Sequence, residues 1–256
     1  MNGSMRRFYL PPQDCRADHL VLTGSEAHHA ADVLRLKAAD EVAVLDGAGG
    51  ELICRVQTVT RKNVQLEVQS RATQPPPQCR ITLAQAIPKG KLFEAILQKA
   101  TELGVWRVVP ILSQRVTTHL DGDSIEQKAE KWRQTAVEAI KQCGQRFLPQ
   151  VDPPIALPAW LALGDKFDLT LVASLRDDSR HLRAYFPAGA RRPQTICVWI
   201  GPEGDFAPEE MEAIQGAGAL PITLGPLVLR SETAALCALS IINHELSAEP
   251  AASTFE

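Results

Sequence analysis

No stretch of the 256 residues is apolar for long enough to cross a bilayer, and the opening Met1-Asn2-Gly3-Ser4-Met5-Arg6-Arg7 lacks the apolar segment of a secretion signal. The expectation is a cytoplasmic protein with no membrane partner. The six cysteines, at 15, 54, 79, 143, 197 and 237, never form a C-x-x-C pair. That excludes the usual zinc and redox spacings and leaves free, buried thiols, with no metal expected. Neither G-x-G-x-x-G nor Gly-x-x-x-x-Gly-Lys occurs, so the phosphate cradles of dinucleotide and nucleoside triphosphate sites are missing. An excess of positive charge is also lacking, since 27 Lys and Arg stand against 30 Asp and Glu for a net charge of -3. Any nucleic-acid contact must then come from a local patch or from dimer geometry. What is present is 45% hydrophobic content, enough for the core of one large or two modest domains.

Residues 1–73 read as one unit. Arg6-Arg7-Phe8-Tyr9-Leu10 precedes a Pro-Pro turn, His19 to Leu22 has strand character, and Ser25 to Leu34 reads as a short helix. Alternating apolar residues in Glu41 to Asp46, Glu51 to Val59 and Asn63 to Val68, divided by turns at 46–50 and 61–63, predict a small barrel-like β unit. His28 and His29 are adjacent on the helix and point apart, which makes a poor metal pair. Arg6 and Arg7 beside Phe8 and Tyr9 combine phosphate pairing with base stacking and are candidates for RNA contact. Pro75-Pro76-Pro77 can continue neither a strand ladder nor a helix, so a linker is placed at 74–79. From Arg80 the pattern alternates strands with longer helices. Strands are expected at Ile81 to Ile87, Arg107 to Leu112 and Leu169 to Ser174, and helices at Lys91 to Leu103, Ser124 to Gln142 and near Asp178 to Tyr185. This predicts an α/β domain over 80–247 with a mainly parallel sheet, followed by a tail at 248–256.

The chain's chemistry is concentrated between Gln194 and Asn243. Thr195 to Ile200 is an unbroken apolar run of the kind a strand buried on both faces needs, and it breaks at Gly201-Pro202-Glu203-Gly204-Asp205-Phe206. A helix follows, with Pro208 at its start and Glu209 and Glu210 in its first turn. The plan then repeats: strand Pro221 to Leu224, turn Gly225-Pro226, apolar loop Leu227-Val228-Leu229, and a helix from Arg230-Ser231-Glu232-Thr233-Ala234, with Ser231 as its expected cap. Two such loops at the carboxyl ends of neighbouring strands form the crevice in which open α/β sheets bind small ligands. Apolar residues in a loop, followed at once by Arg and Glu, suit an apolar pocket with a few convergent polar groups.

Ile-Gly-Pro-Glu-Gly at 200–204 and Leu-Gly-Pro-Leu-Val-Leu-Arg-Ser-Glu-Thr-Ala at 224–234 closely resemble the two hallmark motifs of the RsmE family. These are SPOUT-class enzymes that methylate N3 of a uridine in small-subunit ribosomal RNA. The N-terminal unit is similar to the family's PUA-like RNA-binding domain in its Arg-Arg-Phe-Tyr-Leu opening, its His29...Val33-Leu34-Arg35 run and its glycine turn at 47–50. The resemblance implies a knotted parallel-sheet methyltransferase domain, S-adenosylmethionine as cofactor held in a trefoil knot, and a homodimer acting on small-subunit ribosomal RNA or the assembled subunit. It also implies RNA-facing roles for Arg35, for Lys91 and Lys99 in the Lys...Gln-Lys-Ala-Thr-Glu-Leu-Gly segment, and for Gln142 and Arg146. Three positions depart from the family: Ala39 and Asp205 stand where glycine is common, and Gln145 stands where Arg follows Gly144, with Arg146 one place later.

On this resemblance the donor site draws on Ser174, Ile200, Gly201, Glu203, Gly204, Leu224, Gly225, Leu229, Thr233 and Ala234. Apolar walls and backbone groups suit an adenine, and a sulfonium donor needs no phosphate cradle. Gly225 is read as tolerant, so that a valine there should fill the adenine pocket with little loss of fold. Uridine N3 carries a proton at neutral pH, so transfer requires its loss. Arg230 is the candidate for holding the negative charge that develops on the uracil oxygens, and Glu232 is the nearest candidate base. Glu203 reads as structural, pairing with Arg230 or holding its own loop. Two alternatives stand beside this: a non-catalytic RNA-binding module, and a nucleotide-cofactor oxidoreductase, which the missing G-x-G-x-x-G disfavours.

Overall fold

The computed structural model describes residues 5–90, 92–115, 122–187 and 189–247; Lys91 and the tail at 248–256 lie outside them. The chain divides into two compact units. One comprises Met1–Pro76 with Val137–Leu148, the other Pro77–Ala136 with Pro149–Glu256.

In the first unit the alternating apolar residues form β1 (Arg7–Tyr9), β2 (His19–Thr23), β3 (Glu41–Leu45), β4 (Gly50–Val59) and β5 (Asn63–Thr73), in the order β1-β3-β4-β5-β2. β1 lies parallel to β3, and the other pairs are antiparallel. The two-residue period decides what is buried: along β2, Leu20 and Leu22 enter a core with Phe8, Val44 and Leu66, while Val21 faces out. β5 runs past Val68 to Thr73, because a bulge at Ile53/Cys54 lets it keep pairing with Gly50, Glu51 and Leu52. The Asp46 carboxylate accepts from the amides of Ala48 and Gly50, each at 2.7 Å, and so builds the glycine turn. In place of one helix over 25–34, a short helix α1 (Gly24–His28) passes into a π-type turn at His29–Val33. Ala39 has φ +73°, a left-handed conformation that favours glycine.

Residues 137–148 belong with this unit, whereas the sequence pattern assigns them to the second domain. The Lys141 ammonium is buried, 2.6 Å from Oε1 of Glu26 and 3.0 Å from Oε1 of Glu138. Oε2 of Glu26 also accepts from the amide of Tyr9 at 3.3 Å. Gly49 N donates to Arg146 O at 3.0 Å, and Leu148 N to Gly47 O at 2.9 Å. Removing one partner of a buried pair strands the other charge, at a cost of about 3–5 kcal/mol, so this anchor is strong even where the pair adds little net stability.

The second unit is built on one parallel sheet of β6 (Arg80–Ala86), β7 (Arg107–Leu112), β8 (Gln150–Val151), β9 (Ile155–Ala156), β10 (Leu169–Ala173), β11 (Arg180–His181), β12 (Thr195–Ile200) and β13 (Leu220–Thr223). The order is β11-β13-β10-β12-β6-β7-β8, with β9 also on β7. Among the described residues five helices accompany it: α2 (Leu92–Glu102), α3 (Gly122–Cys143), α4 (Leu157–Leu163), α5 (Pro208–Gly216) and α6 (Ser231–Ser247). The unbroken apolar run of β12 is explained by burial on both faces. Ile196, Val198 and Ile200 join a core with Phe93, Ile96 and Leu97 of α2, Trp132, and Leu239 and Ile242 of α6. Cys197 and Trp199 join another with Trp160 of α4 and Met211 and Ile214 of α5. Trp199 meets Trp160 edge-on at 4.6 Å between ring centres.

The helix expected near 178–185 is instead the two-residue strand β11, paired to β13 through Arg180 and His181, followed by a 3-10 turn at Leu182–Tyr185. α4, β8 and β9 fall in the 149–168 stretch, for which the sequence offers no periodicity. The carboxyl ends of β10, β12 and β13 lie side by side, and the loops leaving them meet there.

Candidate active site

The first of these loops leaves β12 at Gly201. A Cβ on Gly201 would stand 2.9 Å from Oδ1 of Asp205 and 3.1 Å from N of Phe206, so only glycine lets the loop fold back on itself. Asp205 has φ +62°, which aspartate tolerates better than most residues, and its Oδ1 accepts from Phe206 N at 2.8 Å. Burial pushes the Asp205 carboxyl above the usual carboxylate range, against the lowering pull of the Phe206 amide and of Arg115. Arg115 donates to the carbonyl of Gly204 and, at 3.4 Å, to that of Asp205. On the far side Glu210, in the first turn of α5, accepts from Ala207 N at 3.0 Å and from Gln114 N at 2.8 Å. The loop is therefore pinned along its length.

The second loop leaves β13. The Thr223 hydroxyl accepts from Gly225 N at 3.3 Å and donates to Gly225 O at 3.1 Å, and Gly225 has φ +137°. A Cβ there would meet nothing within 4 Å, so backbone conformation, not space, calls for glycine. Leu227 and Val228 follow, 73% and 77% exposed, an apolar edge directed to solvent. Ala234 N donates to Arg230 O at 2.8 Å, which makes Arg230 the residue flanking α6. Ser231 is accordingly not the expected cap. It is the first helical residue, buried, and its hydroxyl donates to Gly201 O at 2.6 Å, tying the helix start to the first loop.

Between the loops lies a cleft open to solvent. Of the residues proposed for a donor, Ser174, Ile200, Gly201, Glu203, Leu224, Gly225, Leu229 and Ala234 line it, joined by Thr223, Asp205, Leu227, Val228 and Ser231. Gly204 and Thr233 do not: Gly204 lies against Arg115, 3.5 Å from a Cβ it would carry, and Thr233 is exposed on α6. Arg230 and Glu232 do not line it, although Leu229, Ser231 and Ala234 around them in the sequence do. Arg230 is exposed, with no ion pair among the described residues. Glu232 is half-buried, and its Oε2 is enclosed without a hydrogen-bond partner. Glu203 does not pair with Arg230. Its Oε1 accepts from Lys89 N at 3.2 Å, holding the loop after β6 to the loop after β12.

The RNA-contact candidates lie elsewhere. In the first unit Arg6 is 3.5 Å from Asp40, and Arg35 is exposed with φ +52°. Arg7 donates to the carbonyl of exposed Gln142 at 3.4 Å, and its guanidinium fills the space beside Gly144. Arg146, one place late relative to the family pattern, pairs with Glu51 in this same unit, while Gln145 Oε1 accepts from Arg146 N at 2.9 Å. In the second unit Lys99 pairs with Glu102 at 3.0 Å, and Lys91 lies outside the described residues. Two residues that shape the site, Gln85 beneath it and Arg115 beside it, are absent from the sequence-based set. Neither stands in a recognisable motif.

Residues 74–243 match the RNA methyltransferase domain family and residues 22–69 the RNA methyltransferase PUA domain family. Ribosomal RNA small subunit methyltransferase E of Synechocystis is 31% identical over 239 residues, 93% of this chain and 77% of that one. The chain belongs to the RsmE family. Among solved structures, an RsmE from Neisseria gonorrhoeae bound to S-adenosylmethionine superposes with TM-score 0.81 at 26% identity, covering 94% of this chain and 98% of that one. A Legionella pneumophila structure with the cofactor SAM bound has TM-score 0.86 at 30% identity and the same coverage. The parallel-sheet methyltransferase fold preceded by a PUA-like domain is thus common to this RsmE chain and its relatives. Among the described residues no three or more His, Cys, Asp or Glu are grouped to hold a metal, and no helix is long and apolar enough to cross a membrane. Of the six cysteines, none bonded to another, Cys15, Cys54 and Cys197 are buried, Cys79 and Cys237 half-buried, and Cys143 exposed, so the expectation of uniformly buried thiols fails at Cys143.

Proposed function

We propose that this chain uses S-adenosylmethionine to methylate N3 of a uridine in small-subunit ribosomal RNA. The observation that carries the proposal is the cleft itself, whose walls are the Gly201–Asp205 and Leu224–Leu229 loops, the two segments that resemble the RsmE motifs. Its residues suit the donor. Ile200, Leu224 and Leu229 offer apolar surface to an adenine, the glycines at 201 and 225 put no side chain into the cleft, and Glu203 and Asp205 supply negative charge for a cationic ligand. When bound, the cofactor supplies an electrophilic methyl group on a sulfonium.

The chain's own contribution is positioning and charge. Holding two reactants in line can lower a barrier by about 7 kcal/mol or more, and loops pinned at Gly201, Glu203, Gly204 and Gly225 are suited to that. Arg230, with no carboxylate partner among the described residues, is free to hold negative charge on a uracil oxygen. Glu232 has an enclosed carboxylate oxygen with unspent acceptor capacity and is the candidate to take the N3 proton. Leu227 and Val228 would exclude water once an occupant covers them.

The proposal extends to a homodimer, to a trefoil knot in the C-terminal strands, and to a cytoplasmic location. Membership of a SPOUT family supports the first two. Titrating S-adenosylmethionine into the purified chain by calorimetry, and then assaying methyl transfer to ribosomal RNA, tests the central proposal. Saturable binding with product mapped to uridine N3 is expected. RNA binding without donor binding would favour a non-catalytic module, and nicotinamide dinucleotide binding an oxidoreductase; either would overturn it.

A further inference from the structure

Gln85 is fully buried near the end of β6, a polar side chain beside the core residues Leu83, Ala84 and Ala86 of that strand. Its Nε2 lies 2.8 Å from the carbonyl oxygen of Ala86 and 2.9 Å from Oγ of Ser231. A backbone carbonyl can only accept, so the amide must present its NH₂ group there and not its oxygen. Both amide hydrogens are then committed, one to Ala86 and one to Ser231. Ser231 carries a single proton, and with its oxygen already accepting from Gln85 that proton goes to the carbonyl of Gly201, 2.6 Å away. The hydroxyl cannot serve both neighbours as donor. Its direction is set from beneath.

We propose that Gln85 is a positioning residue for the methyl-donor site: acting through Ser231, it fixes the carbonyl of Gly201 and with it the cleft wall that this loop provides. The proposal rests on the reading that the cleft holds S-adenosylmethionine. Gln85 does not line the cleft, so it acts at one remove. Gly201 is where a displacement would spread, because the loop closes on it so tightly that no Cβ fits between it and Asp205 and Phe206. A carbonyl released at Gly201 therefore disturbs the whole turn through Phe206. Gln85 also holds the end of β6 through Ala86, so a merely structural role is the competing explanation.

A double-mutant cycle on the full chain separates the two. Gln85→Met keeps length and removes both donors; Ser231→Ala removes the link. Each is expected to weaken S-adenosylmethionine binding by about tenfold, the loss of one hydrogen bond's worth, and the double variant by about tenfold as well, not a hundredfold. Ser231→Thr keeps the hydroxyl and should restore affinity. Hydrogen exchange at the amides of Asp205 and Phe206 should quicken in Gln85→Met and in Ser231→Ala, and no further in the pair. Should Gln85→Met not fold, Gln85→Glu serves: burial and the Ala86 carbonyl hold its carboxyl protonated, with one hydrogen in place of two, so that with this proton on Ala86 the group can only accept from Ser231, draws the Ser231 proton away from Gly201, and should cost at least about tenfold in donor affinity. A folded Gln85 variant with unchanged donor affinity and unchanged exchange, or losses that multiply, overturns the proposal while leaving the donor-site reading intact. A wild-type chain that does not bind S-adenosylmethionine overturns both.

Discussion

Three glycines in the two site loops offer one experiment with three different physical answers. At Gly201 the obstacle is contact: an alanine Cβ would sit 2.9 Å from Oδ1 of Asp205, 3.1 Å from Phe206 N and 3.2 Å from Asp205 Cα, two of them atoms of the backbone. The loop must give way, and overpacking of this kind costs about 1–3 kcal/mol. At Gly204 the nearest atoms are 3.5 and 3.6 Å away on the flexible Arg115, an ordinary contact, so alanine should change stability by no more than about 0.5 kcal/mol. At Gly225 there is space but a φ of +137°, so the cost is conformational, about 1–3 kcal/mol, and a valine would pay it too. That corrects the expectation that Gly225→Val spares the fold. For a chain of this size each kcal/mol lowers the melting temperature by roughly 2–4 °C. Scanning calorimetry should therefore rank Gly204→Ala with the wild type and place Gly201→Ala and Gly225→Ala several degrees lower. Titration should show that Gly201→Ala loses donor affinity, because the carbonyl bonded to Ser231 moves with the backbone. If Gly201→Ala melts with Gly204→Ala and binds S-adenosylmethionine like the wild type, the close approach at Gly201 does not shape the site.

Arg230→Lys keeps the charge and loses the planar fork. Since Arg230 has no ion pair among the described residues, donor affinity and melting temperature should hold while single-turnover methyl transfer slows at least about tenfold, near 1.4 kcal/mol of barrier; unchanged turnover removes it from the mechanism. Asp205 has a folded-state pKa above its unfolded value of about 3.9. Its contribution to stability is thus fully present below that value and is lost as pH rises through the folded pKa. Asp205→Asn keeps an acceptor for Phe206 N and a residue suited to positive φ, so wild-type stability relative to this variant should fall with rising pH and then level off; a relative rise with pH would contradict the burial argument. Burial pushes the thiols of Cys15, Cys54 and Cys79 up to about 11 and that of Cys197 higher still. Mass spectrometry after brief alkylation of the native chain should find Cys143 modified first and Cys197 only on unfolding, and early labelling at Cys197 would refute the packing described for β12.

What could be read from the sequence, and what could not, divides by how a residue acts. β7 and β12 are bounded correctly from their apolar runs because a strand buried on both faces leaves no polar position to blur its ends. The site loops are legible because glycine at a strand end announces a turn, and apolar residues in a loop announce something to cover them. Ala39 and Asp205 are informative by exception: both have positive φ, +73° and +62°, a conformation that favours glycine and that the residue types alone do not announce. The 149–168 stretch stays unread because its two-residue strands and short helix are too brief for any period to show. The last residues of α3 are read correctly as helix but assigned to the wrong unit, since amphipathicity reports that a face is buried and not against what; the Lys141–Glu26 pair that decides it joins residues far apart in the chain.

Gln85 and Ser231 show the same limit at the level of single atoms. A glutamine in an apolar strand and a serine at a helix start each carry a local reading, misplaced polarity for the one and a cap for the other. Only their 2.9 Å approach shows that the serine's proton is directed away from its own helix and onto the neighbouring loop. Residues that touch a ligand tend to fall in motifs, because the ligand's chemistry restricts them. Residues that act through another residue are restricted by geometry alone, and geometry is what a sequence does not carry until it folds.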